Sequence, residues 1–185
     1  KEETCMTSTT IFSLVTFGYL FSWVIYLCYI VFRHNTLGRA ASSAAWLFWA
    51  MQLGGIVIRW VESYRIGIGH APLSNLYESM VFFSWSIVLL HLIFEMQHRI
   101  FSIGAAAMPF GFGSMAYATL SPNVSDQIQP LIPALQSDWL VAHVVTCFLG
   151  YAAFTVSCGV SILYMIQACR GNPGESSYLP SLANL

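Results

Sequence analysis

Residues 9–32 read TTIFSLVTFGYLFSWVIYLCYIVF and contain no charged side chain. A helix needs roughly 20 apolar residues to cross the hydrocarbon core of a bilayer. Because this segment exceeds that length, it predicts a transmembrane helix. Four later stretches are also long and apolar enough, so the sequence predicts about five spans. The four later spans lie at 44–61, 76–94, 101–120 and 139–168.

The composition supports the same fold class. Hydrophobic residues make up 57% of the 185 residues and charged residues only 8%, which is too little charge to cover a soluble domain. We therefore expect an all-α, polytopic transmembrane helix bundle that forms a single membrane domain over 1–185. The net charge of -1 leaves no basic patch, so nucleic acid is excluded as an expected partner.

The span at 101–120, FSIGAAAMPFGFGSMAYATL, is predicted to be kinked or broken. Pro109 lacks a backbone N–H, and three nearby glycines weaken the helix further. Such breaks occur at membrane depth where the backbone is buried in protein or lines a cavity. Met108 and Met115 have the chemistry of axial haem ligands, but packing is the favoured interpretation of both. The three glycines near Pro109 are Gly104, Gly111 and Gly113.

The most informative polar residue is His143, in the stretch PALQSDWLVAHVVTCFLGY at 133–151. A polar ring in an apolar span needs a partner, a cavity or a ligand. Small residues recur at three- and four-residue spacing below it, which predicts a tightly packed face, so we expect His143 to face protein. There it could coordinate a metal or a haem iron, or hydrogen bond to a neighbouring helix. The small residues are Gly150, Ala153, Ser157 and Ser161.

Polar residues around the second loop have mainly structural interpretations. Arg59 and Glu62, at i,i+3 spacing, are predicted to form a local ion pair, although Arg59 could instead face an anionic ligand. Asn75 is predicted to cap the third span, and Glu78 has the spacing of a capping box. His70 is predicted to be an exposed interface residue, with lining of an external site as the alternative.

The remaining candidate ligands are one histidine and the cysteines. His91, near the end of the third span, is predicted to snorkel or to bond a carbonyl, with an internal haem ligand as the alternative. The cysteines show no C-x-x-C spacing, so we expect small apolar packing residues and no zinc site. They are Cys5, Cys28, Cys147, Cys158 and Cys169.

Charge in the loops favours an N-terminus outside the cytoplasm. Four arginines fall on one side of the five-span arrangement, and three basic residues fall on the other. The stretch at 121–137 should then lie on the outer surface, with a short amphipathic helix at 132–137. The ending GNPGESSYLPSLANL has the composition of a connection, so we expect the chain to be the first part of a larger protein. The four arginines on the first side are Arg33, Arg39, Arg99 and Arg170, and the three basic residues on the other side are Lys1, Arg59 and Arg65.

Two segments resemble the CcsA (ResC) membrane proteins of System II cytochrome c biogenesis. RWVESYRIGIGHAPLSNLYESMVFFSW at 59–85 is similar to the family pattern R-W-x-E-S…P-L-S-N-L-Y-E-S. PLIPALQSDWLVAHVVTCFLGYAAF at 130–154 is similar to P-A-L-Q-S-x-W-L-x-x-H-V…Y-A. The ending LPSLANL also looks like the run before the family's next helix. The resemblance therefore spans the chain.

The resemblance implies a haem site. The family's matching histidine, here His143, is an external axial ligand to haem b, and Trp139, Arg59 and the segment 72–78 are implied supports. The family completes its site with a second external histidine and a W-G-x-x-W-x-W-D motif, neither of which occurs in this chain. We therefore expect a component of a holocytochrome c synthase (haem lyase) that is inactive by itself.

The resemblance also implies a function and partners. Reduced haem would be held at the outer face while thiols of a Cys-x-x-Cys-His segment add to its vinyl groups. The implied partners are a CcsB/ResB-type membrane protein, apocytochrome c and thiol-reducing proteins, in a bacterial inner (plasma) membrane or a thylakoid membrane. Two alternatives stay open, namely a System I haem shuttle related to CcmC or CcmF, and a non-catalytic membrane subunit or transporter segment.

Overall fold

The computed structural model describes residues 5–130 and 138–169. Within these ranges the chain forms five α-helices and no β-strand, so the prediction of an all-α fold is confirmed. The amphipathic helix predicted at 132–137 and the ending at 171–185 lie outside the described residues. The helices are α1 (Cys5–Phe32), α2 (Asn35–Arg65), α3 (Leu76–His98), α4 (Ser102–Leu120) and α5 (Asp138–Cys169).

Among the described residues, four helices are long and apolar enough to cross a membrane. The helix α4 is not one of them, although it carries no charged residue. Its serines, glycines and proline lower its mean hydropathy, and its position explains why this is tolerated, since α4 contacts α1, α3 and α5. The four segments are Ser8–Phe32, Asn35–Arg65, Leu76–His98 and Val141–Ile166.

The first four helices pack as a closed ring. The helix α1 contacts α2 and α4, and α3 contacts α2 and α4, so each member of the ring has two neighbours. The helix α5 lies outside the ring against α3 and α4. Only two residues, Arg33 and His34, separate α1 from α2, and Arg33 makes the reversal in the left-handed region with φ 54°.

The helix α4 continues through Pro109 without interruption. The predicted break in this span is therefore absent, and α4 is one helix of 19 residues with a proline inside it. A proline inside a helix removes one backbone hydrogen bond, and neighbouring helices make this tolerable at membrane depth. The environment of Pro109 fits that explanation, because Met108 and Gly111 beside it are buried.

The glycines of α2 and α4 allow close helix contacts. A Cβ atom at Gly104 would lie 2.5 Å from the Tyr26 ring, and one at Gly111 would lie 2.9 Å from Val88. On α2, a Cβ at Gly55 would lie 2.7 Å from Phe12 of α1, whereas Gly54 faces open space. The close approach of α1 to α2 therefore depends on Gly55 and not on Gly54.

Gln52 forms hydrogen bonds between helices inside the ring. Gln52 of α2 accepts a hydrogen bond from the hydroxyl of Tyr19 on α1. Its amide donates to the carbonyl of Val81 on α3 at 3.0 Å. Because lipid offers no alternative partner, such bonds fix the neighbours of a membrane helix. One buried glutamine therefore ties three helices together.

Candidate functional site

His143 lies on α5 one turn after the helix begins, and its side chain is exposed. Its ring nitrogen Nε2 lies 3.6 Å from Sγ of Cys147, one turn further along the same helix. Among the described residues, no side chain of another helix hydrogen bonds to the ring. The imidazole is therefore available to an external ligand.

The expectation that His143 faces protein is wrong for the described part of the chain. The helix α5 packs through its other face, where Ala152 and Val156 are buried. On that face a Cβ at Gly159 would lie 3.3 Å from the backbone of Ala106 on α4. The predicted packing stripe is instead largely open, with Gly150 half-buried and the three residues below it exposed. These are Ala153, Ser157 and Ser161.

The other two predicted haem-site residues have opposite environments. Trp139 is 85% exposed at the start of α5. Arg59 is 1% exposed, and its Nε donates to Oε1 of Glu78 at 2.9 Å. The guanidinium also lies 4.9 Å from the centroid of the Tyr77 ring. Trp139 is accessible to a large ligand, whereas Arg59 is enclosed by side chains of this chain.

The predicted ion pair between Arg59 and Glu62 is wrong. Arg59 pairs with Glu78 on α3, and Glu62 accepts a hydrogen bond from the hydroxyl of Ser8 on α1 at 2.7 Å. Sequence spacing suggested the local pair because both residues lie near the end of α2. Both side chains are buried in the bundle, and each therefore binds a partner on a neighbouring helix instead of the other residue on α2.

The N-terminus of α3 is capped much as predicted. The Asn75 side chain accepts a hydrogen bond from the backbone N–H of Glu78 at 2.9 Å, so the predicted cap is confirmed. Glu78 departs from a standard capping box, because its Oε2 accepts from the backbone N–H and the hydroxyl of Ser74 at 2.9 and 2.7 Å. Its other oxygen stays free to bind Arg59.

Three side chains fasten the segment 121–130, which follows α4, to the α2–α3 region. Arg59 Nη2 donates to the carbonyl of Asp126 at 2.6 Å. Asn75 Nδ2 donates to the carbonyl of Gln127 at 2.9 Å. His70 is half-buried, not fully exposed as predicted, and its Nε2 lies 2.8 Å from the carbonyl oxygen of Gln129. We call these three contacts the loop clamp.

The protonation of His70 bears on the loop clamp. Its Nδ1 lies 2.8 Å from the carbonyl oxygen of Ala71, and its Nε2 faces the carbonyl oxygen of Gln129. Carbonyl oxygens only accept hydrogen bonds, so both contacts are hydrogen bonds only when both ring nitrogens carry protons. A ring with one protonated nitrogen donates to one of these two carbonyls.

Sequence reasoning identified two donors of the loop clamp, Arg59 and Asn75, without finding what they bind. The acceptors at 126, 127 and 129 are backbone carbonyls, which every residue carries and which leave no side-chain signal. The one available signal was the polar, proline-containing composition of the stretch itself.

A second polar cluster lies at the opposite end of the ring. His91 is fully buried, so the snorkelling prediction is wrong. Its Nε2 lies 3.3 Å from Oε2 of Glu95, without the alignment of a hydrogen bond, and neither ring nitrogen has a hydrogen-bond partner in the described structure. Tyr26 donates to the same carboxylate oxygen at 2.6 Å. Sequence reasoning missed Glu95, although its i,i+4 spacing from His91 was a usable signal.

The described sulfur side chains range from fully buried methionines to exposed cysteines. No group of three or more His, Cys, Asp or Glu residues that could hold a metal ion occurs in the described ranges. Met108 and Met115 are fully buried, and the Met115 sulfur accepts from Gln52 at 3.3 Å. Cys28 and Cys147 are half-buried, but Cys158 and Cys169 are exposed, so the packing prediction is wrong for the last two.

Comparison with known proteins agrees with the resemblance of the two sequence segments. A family model described as Cytochrome C assembly protein matches residues 73–184. The chain is 40% identical to the cytochrome c biogenesis protein CcsA of Trichormus variabilis over 139 residues, which are 75% of the chain and 37% of that protein. It is 38% identical to CcsA of Chlorella vulgaris over 112 residues, which are 60% of the chain and 34% of that protein.

The chain spans little more than a third of the length of these relatives. A third similar protein, CcsA of Synechococcus sp. (strain WH7803), is 35% identical over 155 residues, covering 70% of the chain and 47% of that protein. No solved structure matches the chain.

Proposed function

Because this chain belongs to the cytochrome c assembly protein family, we propose that it presents haem at the outer face of a membrane for covalent attachment to apocytochrome c. It is a multi-pass membrane protein of cytochrome c biogenesis. Haem is the cargo and substrate of this protein in the proposed role.

One observation carries the proposal, namely the exposed ring of His143, whose hydrogen-bond partner among the described residues is Cys147 on its own helix. A neutral imidazole nitrogen is a common axial ligand of haem iron. Within the described ranges this bond stays inside α5, so binding iron would break no hydrogen bond between helices there. Further along this face of α5, the side chains of Ala153 and Ser157 are small and exposed, and the ring of Phe154 is 75% exposed.

Trp139 and Arg59 would support the site in different ways. The exposed indole of Trp139, about one turn before His143, is available to pack on an aromatic macrocycle. Arg59 is paired with Glu78, and we propose that it acts through the loop clamp instead of touching a propionate. Holding the segment 121–130 constrains the chain that leads to α5.

Bound haem would supply the vinyl groups to which the cysteine thiols of apocytochrome c add. The protein would bind haem, orient it and restrict its motion, which is how a protein accelerates chemistry that its ligand carries. We propose that a CcsB-type membrane protein and a source of reducing equivalents act with this chain, at a bacterial inner membrane or a thylakoid membrane.

The test is the visible absorption spectrum of the complete protein, purified with its membrane partner, in oxidised and reduced forms. We expect a haem spectrum with two nitrogen ligands, which His143→Ala weakens or shifts and which added imidazole restores. His34→Ala is the matched control, because His34 is an exposed histidine at the other end of the ring. Identical spectra for folded wild-type and His143→Ala protein would contradict the proposal.

A further inference from the structure

We propose that a cavity between the start of α2 and the junction of α3 with α4 binds a phosphate group, as carried by the headgroup of an anionic phospholipid. The cavity has a volume of about 430 Å³. It lies among helix ends, at the opposite end of the ring from the loop clamp, and it shares no residue with the proposed haem site. Its lining consists of Tyr29, Asn35, Arg39, Ser42, Glu95, Met96, Arg99 and Phe101.

Two arginines give the cavity its charge. The side chains of Arg39 and Arg99 are exposed, and neither guanidinium has a hydrogen-bond or ionic partner among the described residues. Arg99 is held at the cavity by the backbone, since it ends α3 in the left-handed region with φ 56° and its N–H bonds to the carbonyl of Glu95 at 2.7 Å. Two like charges that line one cavity favour the binding of an anion there.

The acidic residue of the lining does not neutralise both arginines. Glu95 is buried, and its Oε2 already accepts from the hydroxyl of Tyr26 and lies 3.3 Å from Nε2 of His91. The cavity lining therefore contains one carboxylate, that of Glu95, and two guanidinium groups, those of Arg39 and Arg99. The cavity therefore keeps an excess of positive charge for a ligand.

The neutral lining fits a phosphate with an apolar attachment. Asn35 offers side-chain N–H donors for phosphate oxygens, whereas the hydroxyl of Ser42 is hydrogen bonded to Tyr26. Met96 and Phe101 provide an apolar wall beside them. A guanidinium fork matches phosphate geometry with two parallel hydrogen bonds. The arrangement thus suits a polar head joined to hydrocarbon better than a free small anion.

The position of the cavity indicates where the phosphate comes from. Four helix ends meet there, namely the end of α1, the start of α2, the end of α3 and the start of α4. The ends of spanning helices lie at the depth of lipid headgroups. Basic pockets between helix ends at that depth bind anionic headgroups. We therefore assign a phospholipid as the source, and an inorganic phosphate arm tests the alternative source.

The test measures binding of phosphatidylglycerol to the complete, delipidated protein by native mass spectrometry. We expect Arg39→Gln/Arg99→Gln to bind roughly thirtyfold more weakly than wild type, and each single variant roughly fivefold more weakly. Arg65→Gln should bind like wild type, because Arg65 is an exposed arginine at the other end of α2. Diacylglycerol, which lacks phosphate, should not bind at the site.

A second arm uses inorganic phosphate as the competitor. Displacement of phosphatidylglycerol by phosphate supports a site for the phosphate group of a lipid. Phosphate binding that depends on both arginines, without lipid binding, supports the site and assigns free phosphate as its ligand. If wild type and the double variant bind both probes equally, the proposal is overturned. If the double variant does not fold, the binding of phosphatidylglycerol to Arg39→Gln decides. This variant should fold, because Arg39 is exposed near the start of α2.

Discussion

The Arg59 guanidinium on α2 and the Glu78 carboxylate on α3 form a buried ion pair, with 2.9 Å between Nε and Oε1. Both side chains are 1% exposed. The pair connects the end of one helix to the start of another, and Arg59 extends the connection to Asp126. A buried pair contributes little by itself, but losing one partner leaves a charge without compensation.

Arg59→Met should therefore destabilise the protein by about 3–5 kcal/mol, because Glu78 stays buried without its cation. Arg59→Met/Glu78→Gln removes both charges and should recover a large part of that loss. The free energy of unfolding in mixed micelles measures both effects. A double variant no more stable than Arg59→Met would show that the pair is not the source of the destabilisation.

A second prediction separates the helix cap at Asn75 from its part in the loop clamp. Asn75→Asp keeps an N-capping oxygen for α3 but loses the amide that donates to Gln127. We expect the rate of amide hydrogen exchange in the segment 121–130 to rise roughly fivefold, because one lost hydrogen bond lowers local stability by about 1 kcal/mol. The exchange rate in α3 should stay unchanged. Asn75→Ala, the matched variant, should raise exchange in both. Unchanged exchange at 121–130 in both variants would contradict the loop clamp.

The sequence was most informative where a structural signal is local. Hydrophobic length predicted a span ending at residue 32, where α1 ends, and Asn75 marked the start of α3 one residue later. A helix boundary depends on residues within one turn of it, so the chain itself carries the information. Of the two outcomes predicted at Pro109, a kink or a break, the break is absent, because neighbouring helices compensate for the lost hydrogen bond.

The sequence was least informative about helix faces. In a membrane helix both the packed face and the lipid face are apolar, so periodicity does not distinguish them. The small residues from Gly150 to Ser161 therefore suggested that their face of α5 packs against another helix. Among the described helices, α5 makes its close contact with α4 through Gly159 instead. His143 could be found as a candidate from its isolation in apolar sequence, but the contacts of Arg59 depend on which helices are neighbours.

A third prediction contrasts two glycines of α4. Gly104→Ala should destabilise the protein by about 1–3 kcal/mol, because its methyl group would lie 2.5 Å from the Tyr26 ring and force α1 and α4 apart. Gly113→Ala places the same methyl group in open space and should stabilise the helix by up to about 1 kcal/mol. Unfolding free energies of the two variants check the difference. Equal effects would mean that the contact between α1 and α4 at Gly104 is not tight.

The last prediction concerns Glu95, which lines the proposed phosphate cavity. Glu95→Gln keeps an oxygen that accepts from Tyr26 and removes the negative charge beside the two arginines. We expect phosphatidylglycerol to bind roughly fivefold more tightly, since one repulsive charge near the headgroup is lost. Glu95→Ala also removes the acceptor, and a buried hydroxyl without a partner costs about 1–3 kcal/mol of stability. Native mass spectrometry and unfolding free energies separate the two effects, and weaker lipid binding by folded Glu95→Gln would show that the carboxylate itself holds the ligand.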